Sequence, residues 1–304
     1  MRCRELEPGE EERLLDLLDG WLFGDGRRGR DFFRRYLEDD PAYEPRNVQV
    51  AEAGGALVSC VQVFPRTVRT LAGPRACGGI GSVFTASGHR RTGIASELLR
   101  RAIAAMQARG MELSLLVAGR LGWYGALGWK PLSDVEVAVH AGRSAAADEG
   151  RELDVEADLD AAIAIAAAYS ATRLGSVVRD RAGWEASLRL AGDPDEDLRV
   201  APASGPVRAY LRLADLDGAR RALEWGRTAD GVDVLADLVA SQAGHGLVLP
   251  PLHDAELERA LRTRGCRLEP RRTGIAWMAR SLGEMPAPAL VPAERFAFWP
   301  ADRF

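Results

Sequence analysis

Lysine is almost missing from this 304-residue chain: of its 40 basic residues only Lys130 is a lysine, and the rest are arginine. Such a skew reflects coding bias, so a single arginine says little by itself. Cysteine and histidine are also scarce, with 4 of each. Cys3, Cys60, Cys77 and Cys266 form no Cys-x-x-Cys pair. His89, His140, His245 and His253 fall at no ligand spacing, which excludes the familiar zinc patterns and leaves the cysteines a structural role. No metal is expected. No apolar run reaches the length of a membrane span, and Met1-Arg2-Cys3-Arg4-Glu5 has no signal-peptide core, so the chain is expected to be cytoplasmic, with no membrane partner. A net charge of −4 argues against nucleic acid as the main partner, because phosphate backbones select a concentrated basic surface.

What remains is an ordinary globular composition, 47% hydrophobic and 28% charged, at a length that implies about two domains. Leu14, Leu15, Leu17, Leu18, Trp21 and Leu22 make one helical stripe, and Phe32, Phe33, Tyr36 and Leu37 another. Apolar runs over 47–52, 56–70 and 80–85, punctuated by Gly54-Gly55 and Gly73-Pro74, predict an antiparallel meander. Ile94, Leu98, Leu99, Ala102, Ile103 and Met106 keep helical spacing up to a capping Gly110. A strand over 111–117, a short helix over 122–127 and a strand over 135–140 follow, and 142–150 is a small, polar linker.

The segment that carries chemistry joins the third strand to this long helix: Val83, Phe84, Thr85, then Arg90, Arg91, Thr92, Gly93, Ile94, Ala95 and Ser96. A helix start presents unpaired N–H groups and the positive end of a dipole, so anionic oxygens bind there. Gly93 allows close backbone approach and the two arginines add charge, so phosphate binding outweighs the plain reading of solvated helix-start residues.

Past the linker, Arg151-Glu152-Leu153-Asp154 echoes Arg4-Glu5-Leu6-Glu7 and an Ala/Ile-rich helix follows, an internal repeat at an offset of 147. That offset sends position 90 near Asp237, and the matching strand-to-helix passage carries Asp230 and Asp233, which would repel phosphate. Arg271 to Ala276 copies Arg90 to Ala95 letter for letter, but it lacks the helical stripe and reads as a β-strand. Gly78-Gly79-Ile80-Gly81 is no dinucleotide loop, because Phe84 stands where the last glycine should be.

Arg90-Arg91-Thr92-Gly93-Ile94-Ala95 resembles the Arg/Gln-x-x-Gly-x-Gly/Ala signature of the GCN5-related N-acetyltransferases, the GNAT superfamily. Trp123-Tyr124-Gly125-Ala126-Leu127-Gly128-Trp129 resembles their later Tyr-x-x-x-Gly-Phe segment. The pattern of two halves resembles the enhanced intracellular survival (Eis) proteins, which implies an α/β fold with a mixed sheet and tandem GNAT-like domains, the second degenerate. The expected boundaries are 1–142 for a catalytic domain, 151–284 for the degenerate one and 285–304 for a tail reaching toward the first active site. The further lipid-transfer-like domain those proteins often carry does not fit in this length.

The resemblance implies acetyl-CoA as donor, its pyrophosphate held at Arg90 to Ser96 and its pantetheine arm beside Val83 to Thr85. Tyr124 would donate to the departing thiolate, and a carboxylate at Phe304 would serve as base. The acceptor would be a primary amine of a small molecule, aminoglycoside-like or polyamine-like, or a lysine; a homo-oligomer is compatible with the family. The competing readings are a mycothiol synthase-like acetyltransferase and a non-catalytic acyl-CoA sensor. Tyr124 also fits a plain core role beside Trp123 and Trp129, and Phe304 a frayed end. Trp21, Phe23, Phe32, Phe33 and Phe84 could wall an acceptor pocket, with Asp39 or Asp40 attracting a cation, but at helical spacing core packing is the better reading.

Overall fold

Met1 starts the chain of a computed structural model that describes residues 1–24, 26–142, 148–190, 196–216 and 218–302. Two compact units emerge. One comprises Met1–Leu132 with Ile275–Pro292, and the other Ser133–Gly274 with the tail from Ala293. Both are discontinuous in sequence, whereas the sequence-based segments 1–142, 151–284 and 285–304 are continuous.

In the first unit β1 (Arg2–Glu5) precedes helices α1 (Glu11–Leu18) and α2 (Gly29–Glu38). This opening strand has no apolar alternation to betray it. It forms because its backbone completes the sheet edge, pairing Arg2–Glu5 with Gln49–Glu52 while Arg4 pairs with Glu10 and Glu52. The meander is β2 (Val48–Ala53), β3 (Ala56–Thr70) and β4 (Gly73–Thr85). Next come α3 (Ile94–Ala108), β5 (Leu113–Ala118), α4 (Leu121–Gly125) and β6 (Lys130–His140), the last starting earlier than the sequence pattern indicates.

Helix α3 buries Ile94, Leu98, Leu99, Ala102, Ile103 and Met106 against one face of the sheet; each large side chain stabilises by about 1.5–3 kcal/mol. Gly110, at φ 71°, turns the chain out of the helix as the sequence implies. The other face is covered by α1 and α2 through Leu14, Leu15, Leu18 and Phe33.

The second unit repeats this element order with β7 (Arg151–Glu152), α5 (Val155–Ser170), α6 (Arg181–Leu190), β8 (Glu196–Ala201), β9 (Ala209–Leu216) and β10 (Ala219–Arg227). Helix α7 (Val232–Gln242), β11 (Leu247–Leu249), α8 (Ala255–Thr263) and β12 (Arg267–Ser281) follow; the end of β12 from Ile275 and α9 (Ala287–Leu290) belong to the first unit. The second unit's sheet runs β6-β11-β10-β9-β8-β7. The copied hexapeptide at Arg271 lies in β12, a strand as its pattern predicts, whose last residues Ala276–Ser281 pair with Ala118–Leu113 of β5 in the first unit's sheet.

The offset of 147 does not persist along the repeat. Strands β9 and β10 have 8 and 9 residues where β3 and β4 have 15 and 13, so α7 arrives early and Asp237 lies inside it, away from the helix mouth. Of the linker, residues 143–147 lie outside the described residues. From Ala293 on, the described part of the tail packs within the second unit: Trp299 meets Trp225 at 4.6 Å between ring centroids, and Asp302 accepts from the Val177 N–H and pairs with Arg179 at 3.0 Å. Among the described residues no helix is long and apolar enough to cross a membrane.

Candidate active site

The site begins where two parallel strands part. β4 and β5 pair only over Cys77–Gly79 and Leu113–Leu115. Beyond this β4 continues to Thr85 against β3, while β5 continues to Ala118 against β12, leaving a wedge between them. A bulge aims the β4 backbone at that point: Cys60 faces Phe84 and Gln62 faces Gly81, so Ser82 and Val83 together oppose Val61. Ser82 takes φ 49° and is held by its hydroxyl donating to Gln62 at 3.1 Å and by Cys60 Sγ donating to its carbonyl at 3.2 Å. Backbone groups of the bulge are thereby withdrawn from the ladder.

The passage into α3 is built from left-handed residues. Arg91 sits at φ 62° and Gly93 at φ 85°, flanking Thr92, whose hydroxyl donates to the His89 carbonyl at 2.7 Å. No side chain caps α3, and its first turn carries Glu97 only at the fourth residue. A Cβ placed on Gly93 would meet nothing within 4 Å, so the turn opens onto free space. Arg91 is exposed beside it. Arg90 is placed differently from the sequence expectation: its Nε donates to the Thr85 carbonyl at 2.9 Å and its guanidinium lies 5.9 Å from the Phe84 ring centroid. It braces the end of β4 against the turn, leaving Arg91 as the free charge of the pair.

Helix α4 carries Tyr124 to the other side of the same first-unit core. Its ring lies 4.6 Å from Trp123 and 6.1 Å from Trp129 between centroids, and it is 9% exposed. Burial pushes its hydroxyl up to about 12, with Arg120 pulling weakly the other way. Trp123 Nε1 donates to Ser96 Oγ at 3.0 Å, so α4 is tied to the first turn of α3. That contact joins the two motifs, and nothing in their spacing announces it.

The aromatic residues set aside as core are divided. Phe33 and Phe84 are buried, while Trp21, Phe23 and Phe32 are half-buried around them, Trp21 lying 5.9 Å from Phe84 between centroids. Asp40 is no free cation trap: its carboxylate is buried and takes Arg66 at 2.8 Å. Phe304 lies outside the described residues. Among the described residues no group of three or more His, Cys, Asp and Glu could hold a metal ion. Cys60, Cys77 and Cys266 are buried and free.

The wedge, the bulge and the uncapped helix start coincide with a match to the acetyltransferase (GNAT) domain over residues 2–132. Residues 2–132 form a GNAT-superfamily domain. An uncharacterized N-acetyltransferase of Streptomyces coelicolor is 30% identical over 244 residues, which is 72% of this chain and 56% of that protein. The chain thus spans little more than half the length of the curated relative it matches. Eis1 from Mycobacterium abscessus superposes with a TM-score of 0.63 at 17% identity, covering 93% of this chain and 74% of its own. A GCN5-related N-acetyltransferase from Anabaena variabilis does so at 0.69 and 14% identity, over 93% and 73%. The fold of this chain is therefore the tandem, Eis-like one.

The second unit supplies the contrast. Where α3 begins on Arg91 and Gly93, α7 begins after Thr228, Asp230 and Gly231. Arg208 pairs with Asp230 at 2.9 Å and Arg264 with Asp233 at 3.2 Å, so this mouth is filled with its own ion pairs. Two cavities are lined by residues other than those of the wedge. One of about 760 Å³ is bounded by β1 and residues 44–46. The other, of about 680 Å³, lies in the second unit between α5, the end of β10 and the start of α8.

Proposed function

We propose that the first unit is an N-acetyltransferase that passes an acetyl group from acetyl-CoA to a primary amine by direct attack in a ternary complex. The observation that carries this reading is the coincidence, within one unit, of a splayed β4/β5 pair, a bulge at Ser82–Val83 and an uncapped helix behind Arg91 and Gly93. The open space over Gly93 fits a pyrophosphate, whose oxygens the N–H groups of Arg91 to Ser96 would receive, with Arg91 adding charge. Acetyl-CoA supplies an activated thioester, which the acceptor nitrogen attacks as the C–S bond breaks.

The chain's own groups have separate tasks. A backbone N–H along Val83 to Thr85 would donate to the carbonyl oxygen as it gains charge. Tyr124, protonated throughout the neutral range because burial lifts it to about 12, would donate to the departing thiolate. Full transfer of its proton to a thiolate near 8.5 would be uphill by about 5 kcal/mol, so Tyr124 works as a hydrogen-bond donor to developing charge. The amine must arrive neutral, and its proton leaves to solvent. The acceptor stays defined as a primary amine of a small molecule or a lysine, with the half-buried Trp21, Phe23 and Phe32 on the α1–α2 side as its apolar wall.

Calorimetry with acetyl-CoA, followed by thiol release against a panel of primary amines, tests this. The intact chain is expected to bind and to release thiol with some amine. Arg91→Glu, at an exposed side chain, should weaken binding by at least about tenfold. Unchanged affinity would overturn the phosphate cradle, and tight binding without thiol release would leave an acyl-CoA sensor.

A further inference from the structure

The cavity of about 680 Å³ in the second unit has a size usual for a small-molecule site. It opens beyond the ends of two parallel strands. β10 and β11 pair only at Arg220–Arg221 and Leu247–Val248, after which β10 runs on to Arg227 and β11 stops at Leu249. Residues following each strand, Arg227 to Ala229 and His253 to Glu256, line the space, which is the place where open α/β sheets receive ligands. The remaining wall is one face of α5, where Ala164 and Ala168 are exposed to the cavity beside Ile165.

Its charges are unevenly satisfied. Asp254 accepts from the Tyr169 hydroxyl at 2.7 Å, from Arg227 Nε at 3.3 Å and from the Leu257 N–H at 3.0 Å, while Glu256 takes the other side of the Arg227 fork. Both carboxylates are committed. Arg173, which also lines the cavity, is only 7% exposed, and its guanidinium lies 3.5 Å from the Tyr169 ring centroid. One of its Nη atoms donates to the Tyr169 carbonyl and the other forms a long ion pair with Asp254 at 3.6 Å, while its Nε has no partner among the described residues. A buried guanidinium whose counter-ion is one long pair to a carboxylate shared with Tyr169 and Arg227 is costly, and burial pulls Arg173 below its ordinary value.

We propose that this cavity binds a small monocarboxylate with an apolar body, the carboxylate completing the partners of Arg173 and the body lying along Ala164, Ile165 and Ala168. An ammonium would find Asp254 and Glu256 already occupied. The site would be independent of the acetyl-CoA groove, which is built by other residues.

Saturation-transfer NMR and calorimetry on the intact chain, with phenylacetate as probe and phenethylamine as its cationic counterpart, decide the matter. Phenylacetate is expected to bind saturably and phenethylamine not to. Arg173→Met should weaken phenylacetate by about ten- to a hundredfold. Should that variant fail to fold, Ala168→Phe, which fills the cavity from an exposed helix position, should abolish binding while circular dichroism stays unchanged. Preference for phenethylamine, absence of saturation up to about 10 mM, or binding that survives Ala168→Phe would each overturn the proposal.

Discussion

Trp123 Nε1 donates a 3.0 Å hydrogen bond to Ser96 Oγ and so fastens the helix of Tyr124 to the first turn of the helix that follows Gly93. The orientation of the proposed hydrogen-bond donor is set by a contact to the proposed phosphate cradle. Trp123→Phe keeps an apolar ring beside Tyr124 but loses the bond, which should cost about 1 kcal/mol of stability and lower kcat about three- to tenfold. Ser96→Ala removes the same bond from the other end. If the pair acts as a unit, the double variant is no worse than the worse single one, a comparison that thermal melts and thiol release both provide.

Tyr124→Phe separates the catalytic role from the packing role. The ring stays among Trp123, Trp129 and the α3 core, so the melting temperature should move little. Turnover should fall on the order of a hundredfold, with the KM for acetyl-CoA nearly unchanged, because the donated bond strengthens only as the thiolate develops. Since burial holds the hydroxyl near 12, the rate should rise as the acceptor amine deprotonates and show no descending limb from Tyr124 below about pH 11. A rate profile recorded from pH 6 to 11 with both proteins checks this; a turnover unaffected by the substitution would return Tyr124 to a core role.

Much of this architecture is legible in the sequence, and the residues show why. The α3 stripe and the glycine before it read clearly because each apolar position is also a buried one. Gly78 illustrates the opposite: a Cβ there would run into Met106 Sδ, so it exists for close helix packing, and no local pattern distinguishes that from a loop glycine. β1 is invisible because its residues are polar and its reason for being a strand lies in Gln49 to Glu52. The repeat offset drifts because the β9–β10 hairpin is shorter, which a fixed offset cannot follow.

The candidate site divides the same way. Val83 to Ser96 join β4 to α3 and Tyr124 lies one strand further on in α4, so motif and spacing find them. The Arg173 cavity escapes any such reading because its charges come from the turn after α5, the end of β10 and the start of α8, and their meaning rests on which carboxylate is already taken. Arg90 and Arg91 read as equals, yet the fold spends one as a brace on Thr85.

Gly93 and Arg91 share the left-handed region, and they should respond oppositely to substitution. With φ at 85°, Gly93→Ala should cost about 1–2 kcal/mol from the backbone alone, because the added Cβ touches nothing. Arg91, at φ 62°, already bears part of that strain, so Arg91→Gly should be neutral or stabilise by up to about 1 kcal/mol. The same change removes the exposed charge and should weaken acetyl-CoA binding. Urea unfolding beside calorimetry would show stability and affinity moving in opposite directions; a loss of both would mean that Arg91 holds the turn together.

Cys60 and Cys77 should make the fold less stable in alkali. Both thiols are wholly buried, and burial pushes each from 9 up to about 12. In the unfolded chain the same thiols ionise near 8.5, so between that pH and about 12 the unfolded state gives up protons that the native state keeps. The contribution is complete below the unfolded value and is lost as pH rises, at up to about 1.4 kcal/mol per pH unit for each thiol. Tyr124, raised from 10 to about 12, steepens the upper part of that window. Cys77→Ala should therefore unfold more easily at pH 7, through lost packing, yet lose stability less steeply between pH 9 and 11. Urea melts at successive pH values measure both slopes, and parallel lines for the two proteins would mean that Cys77 ionises in the native state.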